Sequence, residues 1–257
     1  MRRLLIFAGD SASVDLGLLP FRNDWGDKNV DAVCSFAAWE VAHERYDSKQ
    51  IMRIHNFHKG MQKLIKESQP NCFHYFVAEL SCIADYDITV VTTNVDDLFE
   101  RAGVPPCKVI HLYGSTVQRR CTSCKHTFND ETIDWHSPDQ IERCPKEKCH
   151  SRLVKTDVVF YGEQCPNYLA GLQRFNLLSA GDTAVMVGSF GEISQVVQQL
   201  WQQCCERHVN TVNINPDSAT HDLFPAELSL TDTISRALPD LELHLRIQRT
   251  IENLVED

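Results

Sequence analysis

Leu4-Leu5-Ile6-Phe7-Ala8-Gly9-Asp10-Ser11-Ala12 is a run of five apolar residues that ends at a glycine and passes into small residues. A continuous apolar run closed by a turn residue reads as a strand buried on both faces. The turn after it offers backbone N–H groups at a helix start, a place where phosphate can be held. One glycine is also what an ordinary strand-to-helix turn carries, so the stretch needs support from elsewhere.

Support comes from repetition of the pattern. Further apolar or β-branched runs lie at Ile88–Thr92, Val109–Leu112, Val154–Phe160, Thr183–Val187 and Thr211–Asn215. Between them, residues recur at helical spacing: Phe73, Phe76, Val77 and Leu80, then Ile193, Val196, Val197, Leu200 and Trp201, and also Ile51, Ile54, Met61 and Ile65. Strands alternating with amphipathic helices predict a Rossmann-like α/β fold, a parallel sheet with helices on both faces. Two stretches break the rhythm. Residues 25–70 read as helical without a strand, and residues 118–155 are polar and carry paired cysteines. Both read as insertions that together form a small second module and wall a ligand cleft.

The pairs Cys121-Thr122-Ser123-Cys124 and Cys144-Pro145-Lys146-Glu147-Lys148-Cys149 bracket 19 residues. Two such knuckles bring four thiolates into a tetrahedron around zinc, leaving no open position for water. The metal is therefore expected to be structural, with Cys121, Cys124, Cys144 and Cys149 as ligands. A redox pair is the weaker reading, because Cys-x4-Cys is not a redox spacing. His126 and His150 are read as bystanders, and Cys34, Cys72, Cys82, Cys107, Cys165, Cys204 and Cys205 as plain thiols.

Composition narrows the partners. There are 25 Lys and Arg against 35 Asp and Glu, a net charge of −10, and no long basic run, which argues against nucleic acid. No segment is apolar for the ~18 residues a membrane span requires, and Met1–Gly9 reads as a strand rather than a signal peptide. Eleven cysteines, an odd number without dense spacing, suit a reducing cytoplasm.

Further motifs follow in order: Phe21-Arg22, Pro70-Asn71-Cys72-Phe73-His74, Thr92-Thr93-Asn94-Val95-Asp96-Asp97 running to Gly103, and His111-Leu112-Tyr113-Gly114-Ser115. After the cysteine pairs come Asp157-Val158-Val159-Phe160-Tyr161-Gly162-Glu163, Gly188-Ser189 and Ile214-Asn215. This series resembles the Sir2 or sirtuin family, NAD-dependent protein deacylases with a zinc-ribbon insertion, over roughly residues 4–240. The resemblance implies an NAD-binding domain of residues 1–24, 73–117 and 156–257, a helical insertion of 25–72 and a zinc ribbon of 118–155. It further implies that Ala8, Gly9 and Arg22 line the diphosphate and nicotinamide ribose, with Phe21 over the reacting carbon. Thr93, Asn94 and Asp96 fall at the nicotinamide pocket, Gly188 and Ser189 at phosphate or ribose, and Asn215 at the adenosine ribose. Val159, Phe160 and Gly162 fall where an extended acyl-lysine peptide adds as a strand.

The chain departs from the family where chemistry is done. The histidine base that precedes glycine in sirtuins is Tyr113 here, and a phenol of pKa about 10 is a poor base at neutral pH. His111 lies two residues earlier, on the same face if the strand continues, about 6.6 Å away. It is a candidate substitute, although a packed, hydrogen-bonded histidine is the plainer reading. Phe7 stands for the first glycine of Gly-Ala-Gly and Phe190 for a small hydroxyl residue, so both rings are expected to crowd the dinucleotide. Gln195 replaces a usual proline. Phe57-His58-Lys59-Gly60-Met61 lacks the Tyr-x2-Arg pair of sirtuins that take acidic acyl groups, so a neutral acyl group is expected. The expectation is a divergent deacylase with impaired or altered catalysis. Its rivals are an NAD glycohydrolase or ADP-ribosyltransferase, and a catalytically dead NAD- or partner-binding fold.

Overall fold

The apolar run at the start of the chain forms strand β1 (Arg2–Ala8), and the turn after it leads into the short helix α1 (Ser11–Val14). In this computed structural model residues 2–14, 29–129, 136–141, 143–188 and 195–256 are described. Helices α2 (Val30–Cys34), α3 (Phe36–Glu44) and α4 (Ser48–Glu67) follow, started by the side chains of Asn29, Ser35 and Asp47, which accept from amides of the first turns. Next come α5 (Cys72–Ser81), β2 (Tyr86–Thr92), α6 (Leu98–Ala102), β3 (Val109–His111), β4 (Gly114–Cys121), β5 (Thr127–Asn129) and β6 (Val154–Val158). The chain continues through α7 (Tyr168–Asn176), β7 (Thr183–Val187), α8 (Gln195–Glu206), β8 (Asn210–Ile214), α9 (Ala219–Leu223), β9 (Leu228–Leu230) and α10 (Ile234–Glu256). None of the helices among the described residues is long and apolar enough to cross a membrane.

The larger sheet has the order β3-β2-β1-β7-β8-β9, with every neighbouring pair parallel. This is the order 3-2-1-4-5-6 of a dinucleotide-binding sheet, whose direction of growth reverses between β1 and β7. Side chains alternate across it. Leu4, Ile6 and Ala8 of β1 pack with Phe73, Val77 and Leu80 of α5 and Leu241 of α10, while Leu5 and Phe7 pack with Phe175 of α7 and Trp201 of α8. Burial on both faces is why β1 carries no polar residue after Arg3. On the second face α7 comes very close: a Cβ on Gly171 would stand 2.4 Å from Leu112 Cδ2.

The sheet corrects one expectation about Phe7. Its ring is 1% exposed and lies 5.7 Å from the Phe175 ring inside the core, so it does not border the cleft. Strand alternation sends residue 7 to the helix-covered face. Phe7→Gly is therefore expected to cost about 3–5 kcal/mol of stability, with no gain in NAD affinity. Denaturant unfolding checks this; a Phe7→Gly protein as stable as wild type would place the ring outside the core.

A second correction concerns Val154–Phe160. Its strand, β6, does not join the parallel sheet but pairs antiparallel with β4, in a three-stranded sheet of order β5-β4-β6. Above it, α2, α3 and α4 bury Val33, Trp39, Ile54, Phe57 and Met61 around Leu98 and Phe160. That core ties the helices to the segment after β6.

Candidate active site

The strand ends of the larger sheet share one row. Thr92 is the register partner of Ala8 and of His111, Ala8 of Val187, and Val187 of Ile214. Ala8, Gly9, Thr93, Asn94, Asp96, His111, Tyr113, Gly188 and Asn215 therefore all lie at, or just beyond, the carboxyl edge of the sheet. In open α/β sheets that edge, at the switch of direction, is where ligands bind. Phe21, Arg22, Ser189 and Phe190, named from the sequence, lie outside the described residues.

At the switch itself, Gly9 N donates to Val187 O (2.8 Å) and Ser11 N to Gly188 O (3.2 Å). Gly188 has φ +60°, and a Cβ there would lie 2.2 Å from Ser11 Cβ, so glycine lets strand β7 touch the start of α1. Asn71 caps α5 by accepting from His74 N (3.1 Å) and donates Nδ2 to Ala12 O (2.9 Å), fastening α1 to α5.

Beside this turn is a buried polar cluster. Asn94 Nδ2 donates to Ser13 Oγ (3.1 Å), and Ser13 Oγ donates to Asp96 Oδ2 (3.0 Å). Asn94 N donates to Thr92 Oγ1 (3.0 Å), whose hydroxyl donates to Ala8 O (3.0 Å). Burial raises the Asp96 pKa, opposed by hydrogen bonds from Leu98 N and Ser13. Asn94 Oδ1 and Ser11 Oγ are buried and find no partner among the described residues. A buried unpaired polar atom is costly, and two of them at one edge fit a polar ligand. Ser13 and Thr92 escaped the sequence reading. The available signal was a short polar residue in the first turn after a glycine, facing the next strand end.

His111 does not present a free ring. Strand β3 stops there and Leu112-Tyr113 form a turn, which breaks the shared-face relation of residues 111 and 113. Nδ1 donates to Asn94 O (3.0 Å) and Nε2 meets Glu100 Oε1 (2.8 Å). With both nitrogens engaged, the ring is the hydrogen-bonded histidine of the two readings. Tyr113 sits at the corner, 37% exposed, its carbonyl accepting from Val159 N (2.8 Å). Gly114 keeps that corner tight: at φ +79°, a Cβ would stand 1.7 Å from Asp157 O.

Val159–Glu163 passes next to Tyr113. Phe160 is buried, its ring stacked on His58 at 4.7 Å and lying 4.1 Å from Lys155 Nζ, while its N–H donates to Glu163 Oε2 (2.9 Å) and its carbonyl accepts from Glu163 N (2.9 Å). Lys155 Nζ also donates to Val158 O (2.5 Å) and to Glu163 Oε2 (2.9 Å). Tyr161 N donates to Cys34 O (2.7 Å) and Tyr161 O accepts from Phe36 N (3.0 Å), so the helical module already pairs with one residue of this segment. Gly162, at φ +87°, is open on its Cβ side.

The four cysteines converge. Their Sγ atoms lie within 4.8 Å of one another, with Cys121–Cys149 at 3.7 Å and Cys124–Cys144 at 3.6 Å. Zn–S bonds of about 2.3 Å in a tetrahedron place sulfurs about 3.8 Å apart, so the set fits a structural zinc. Lys125, Lys148 and His150 take positive φ at the knuckle turns, and Cys121 N donates to His126 O (2.9 Å).

Residues 9–195 match the model of the Sir2 family. An NAD-dependent protein deacylase of Campylobacter jejuni is 28% identical over 264 aligned positions, covering 100% of this chain and 99% of its own. One of Pyrococcus furiosus is 31% identical over 192 positions, covering 74% of this chain and 72% of its own. The crystal structure of a Sir2 homologue–NAD complex aligns with a TM-score of 0.76 at 26% identity, covering 95% of this chain and 89% of that one. With its strand order, its four-cysteine cluster and a family match across most of its length, the chain belongs to the Sir2 family.

Proposed function

We propose that the protein is a divergent NAD-dependent protein deacylase, working on acyl-lysine peptides with neutral acyl groups. The observation that carries this is the buried Asn94–Ser13–Asp96 cluster at the sheet's switch point, with Asn94 Oδ1 and Ser11 Oγ beside it, which find no partner among the described residues. The relatives named above are deacylases, and a solved homologue holds NAD. A reducing cytoplasm suits eleven cysteines, none of them in a disulfide.

Bound NAD supplies a ribose whose bond to nicotinamide can be broken in favour of an acyl oxygen. In this reading the turn at Ala8 and Gly9, with Phe21 and Arg22, holds the diphosphate and the nicotinamide ribose. Thr93, Asn94 and Asp96 hold the nicotinamide end, Gly188 and Ser189 a phosphate or ribose, and Asn215 the adenosine ribose. Asn215 is buried, and its Oδ1 accepts from Asp217 N (3.0 Å), which fixes the turn after β8. Val159, Phe160 and Gly162 lie where the extended peptide adds as a strand, and Tyr113 stands at the position of the family's base.

Tyr113 also favours a second reading. Nicotinamide cleavage depends on the pocket more than on the base, so an NAD glycohydrolase or ADP-ribosyltransferase needs no histidine there. Product analysis separates the readings: O-acyl-ADP-ribose, free ADP-ribose, a modified protein, or nothing, as for a binding-only fold. The first experiment is calorimetric titration with NAD. Ser13→Ala is expected to weaken binding about three- to tenfold, the usual value of one hydrogen bond. Absence of NAD binding by the wild type would defeat the proposal.

A further inference from the structure

His111 ties three elements together. Its main chain ends β3, its Nδ1 donates to Asn94 O (3.0 Å) on the loop after β2, and its Nε2 meets Glu100 Oε1 (2.8 Å) on α6. A carbonyl oxygen and a carboxylate oxygen only accept, so the ring makes both bonds only as an imidazolium. Its side chain is 13% exposed. The charged groups facing it are mostly acidic. Glu100 comes from α6, and Asp96 and Asp97 from the loop before it. Arg101 of α6 is paired with Asp97 at 3.8 Å, and Asn167, just before α7, donates to His111 O (3.0 Å). Burial works against the ring's charge, but the Glu100 bond and charge, the Asn94 carbonyl and Asp96 outweigh it and raise the pKa.

We propose that His111, held by Glu100, is a positioning residue that keeps the Asn94–Asp96 loop in its NAD-binding shape only while its ring is protonated. This rests on the NAD-binding reading of the same site. A neutral imidazole has a single N–H and serves Asn94 O or Glu100, not both. The acceptor left over then faces a ring lone pair in an enclosed space. If Asn94 O is released, its side chain moves with it, and Ser13 loses the donor that holds it toward Asp96. The raised pKa sets the direction. The bonds are fully present below the ordinary histidine pKa of about 6.5, and they are lost as the pH rises through the higher folded value.

The test is NAD titration of wild type, His111→Gln and Glu100→Gln from pH 6 to 9, with amide hydrogen exchange of residues 93–97 at each pH. Wild-type affinity is expected to fall about tenfold across the range, the value of one or two lost hydrogen bonds. His111→Gln should bind at the wild type's high-pH level throughout, with a flat profile. Glu100→Gln should shift the wild-type midpoint to lower pH, and it also serves if His111→Gln fails to fold. Loop exchange should rise with pH beyond its intrinsic increase in wild type and not in His111→Gln. A pH dependence that survives in His111→Gln belongs to Asp96 or another group and overturns the proposal. So does unchanged NAD affinity in His111→Gln at pH 6. If wild type binds no NAD at any pH, the NAD reading and the proposal's binding claim both fail; the exchange profiles then tell whether the protonated clamp itself exists.

Discussion

Cys124→Ser protein is expected to lose its metal and its soluble fold together. Structural zinc in small modules contributes an apparent ~10–16 kcal/mol, as much as the whole stability of a typical domain. Among the described residues, the apolar side chains clustered with the four cysteines are Val154 and Phe128. β4 ends at Cys121 and β6 leads directly into Val159–Glu163, so the damage should reach that segment. Metal analysis of the purified protein should give one zinc per chain, and a chelator should lower the melting temperature by well over ten degrees. A metal-free protein, or a Cys124→Ser variant that melts like wild type, would remove zinc from the account.

Tyr113→His is expected to raise release of deacylated peptide by up to 10²–10⁴-fold, the usual worth of a general base. An ordinary phenol, with a pKa of about 10, is ionised at roughly one part in a thousand at neutral pH, whereas an ordinary imidazole is mostly in its base form. The first step of the family's reaction needs a placed acyl oxygen and a pocket for nicotinamide, and the base acts afterwards. Exchange of labelled nicotinamide should therefore change much less than deacylation between the two proteins. Phe7 does not limit the gain, because its ring is in the core. His111 is no substitute base while both its nitrogens are bonded. Wild type deacylating as fast as Tyr113→His would show that position 113 does not set the rate.

Not every strand was legible in the sequence. β4, Gly114–Cys121, shows no apolar run in the sequence: its register shifts between Ser115 and Arg119, and the residues it buries include Thr116 and Arg119 instead of aliphatic side chains. β9, Leu228–Leu230, is three residues long and becomes a strand only by pairing with β8. Ser13 gains its meaning from Asn94 and Asp96, more than eighty residues away in the chain.

The sequence by itself determined the kind of sheet and the four-cysteine metal site. Strands such as Leu4–Ala8, apolar at successive positions, have no face that tolerates water, so helices must cover both sides. Two cysteine knuckles at this spacing bring four thiolates to one tetrahedral site, which suits zinc. Tertiary structure decided what these local rules leave open. A period of two says that Phe7 and Ala8 face opposite ways, but only the helices packed above and below say that residue 7 meets Phe175. An apolar run says that Val154–Phe160 is extended, but only its partner, β4, places it outside the parallel sheet. For His111, a residue type with two possible charges, the balance is moved toward the charged form by a carbonyl 17 residues earlier and a carboxylate 11 residues earlier. Protonation is a property of neighbours, and neighbours brought together by folding are not adjacent in the chain.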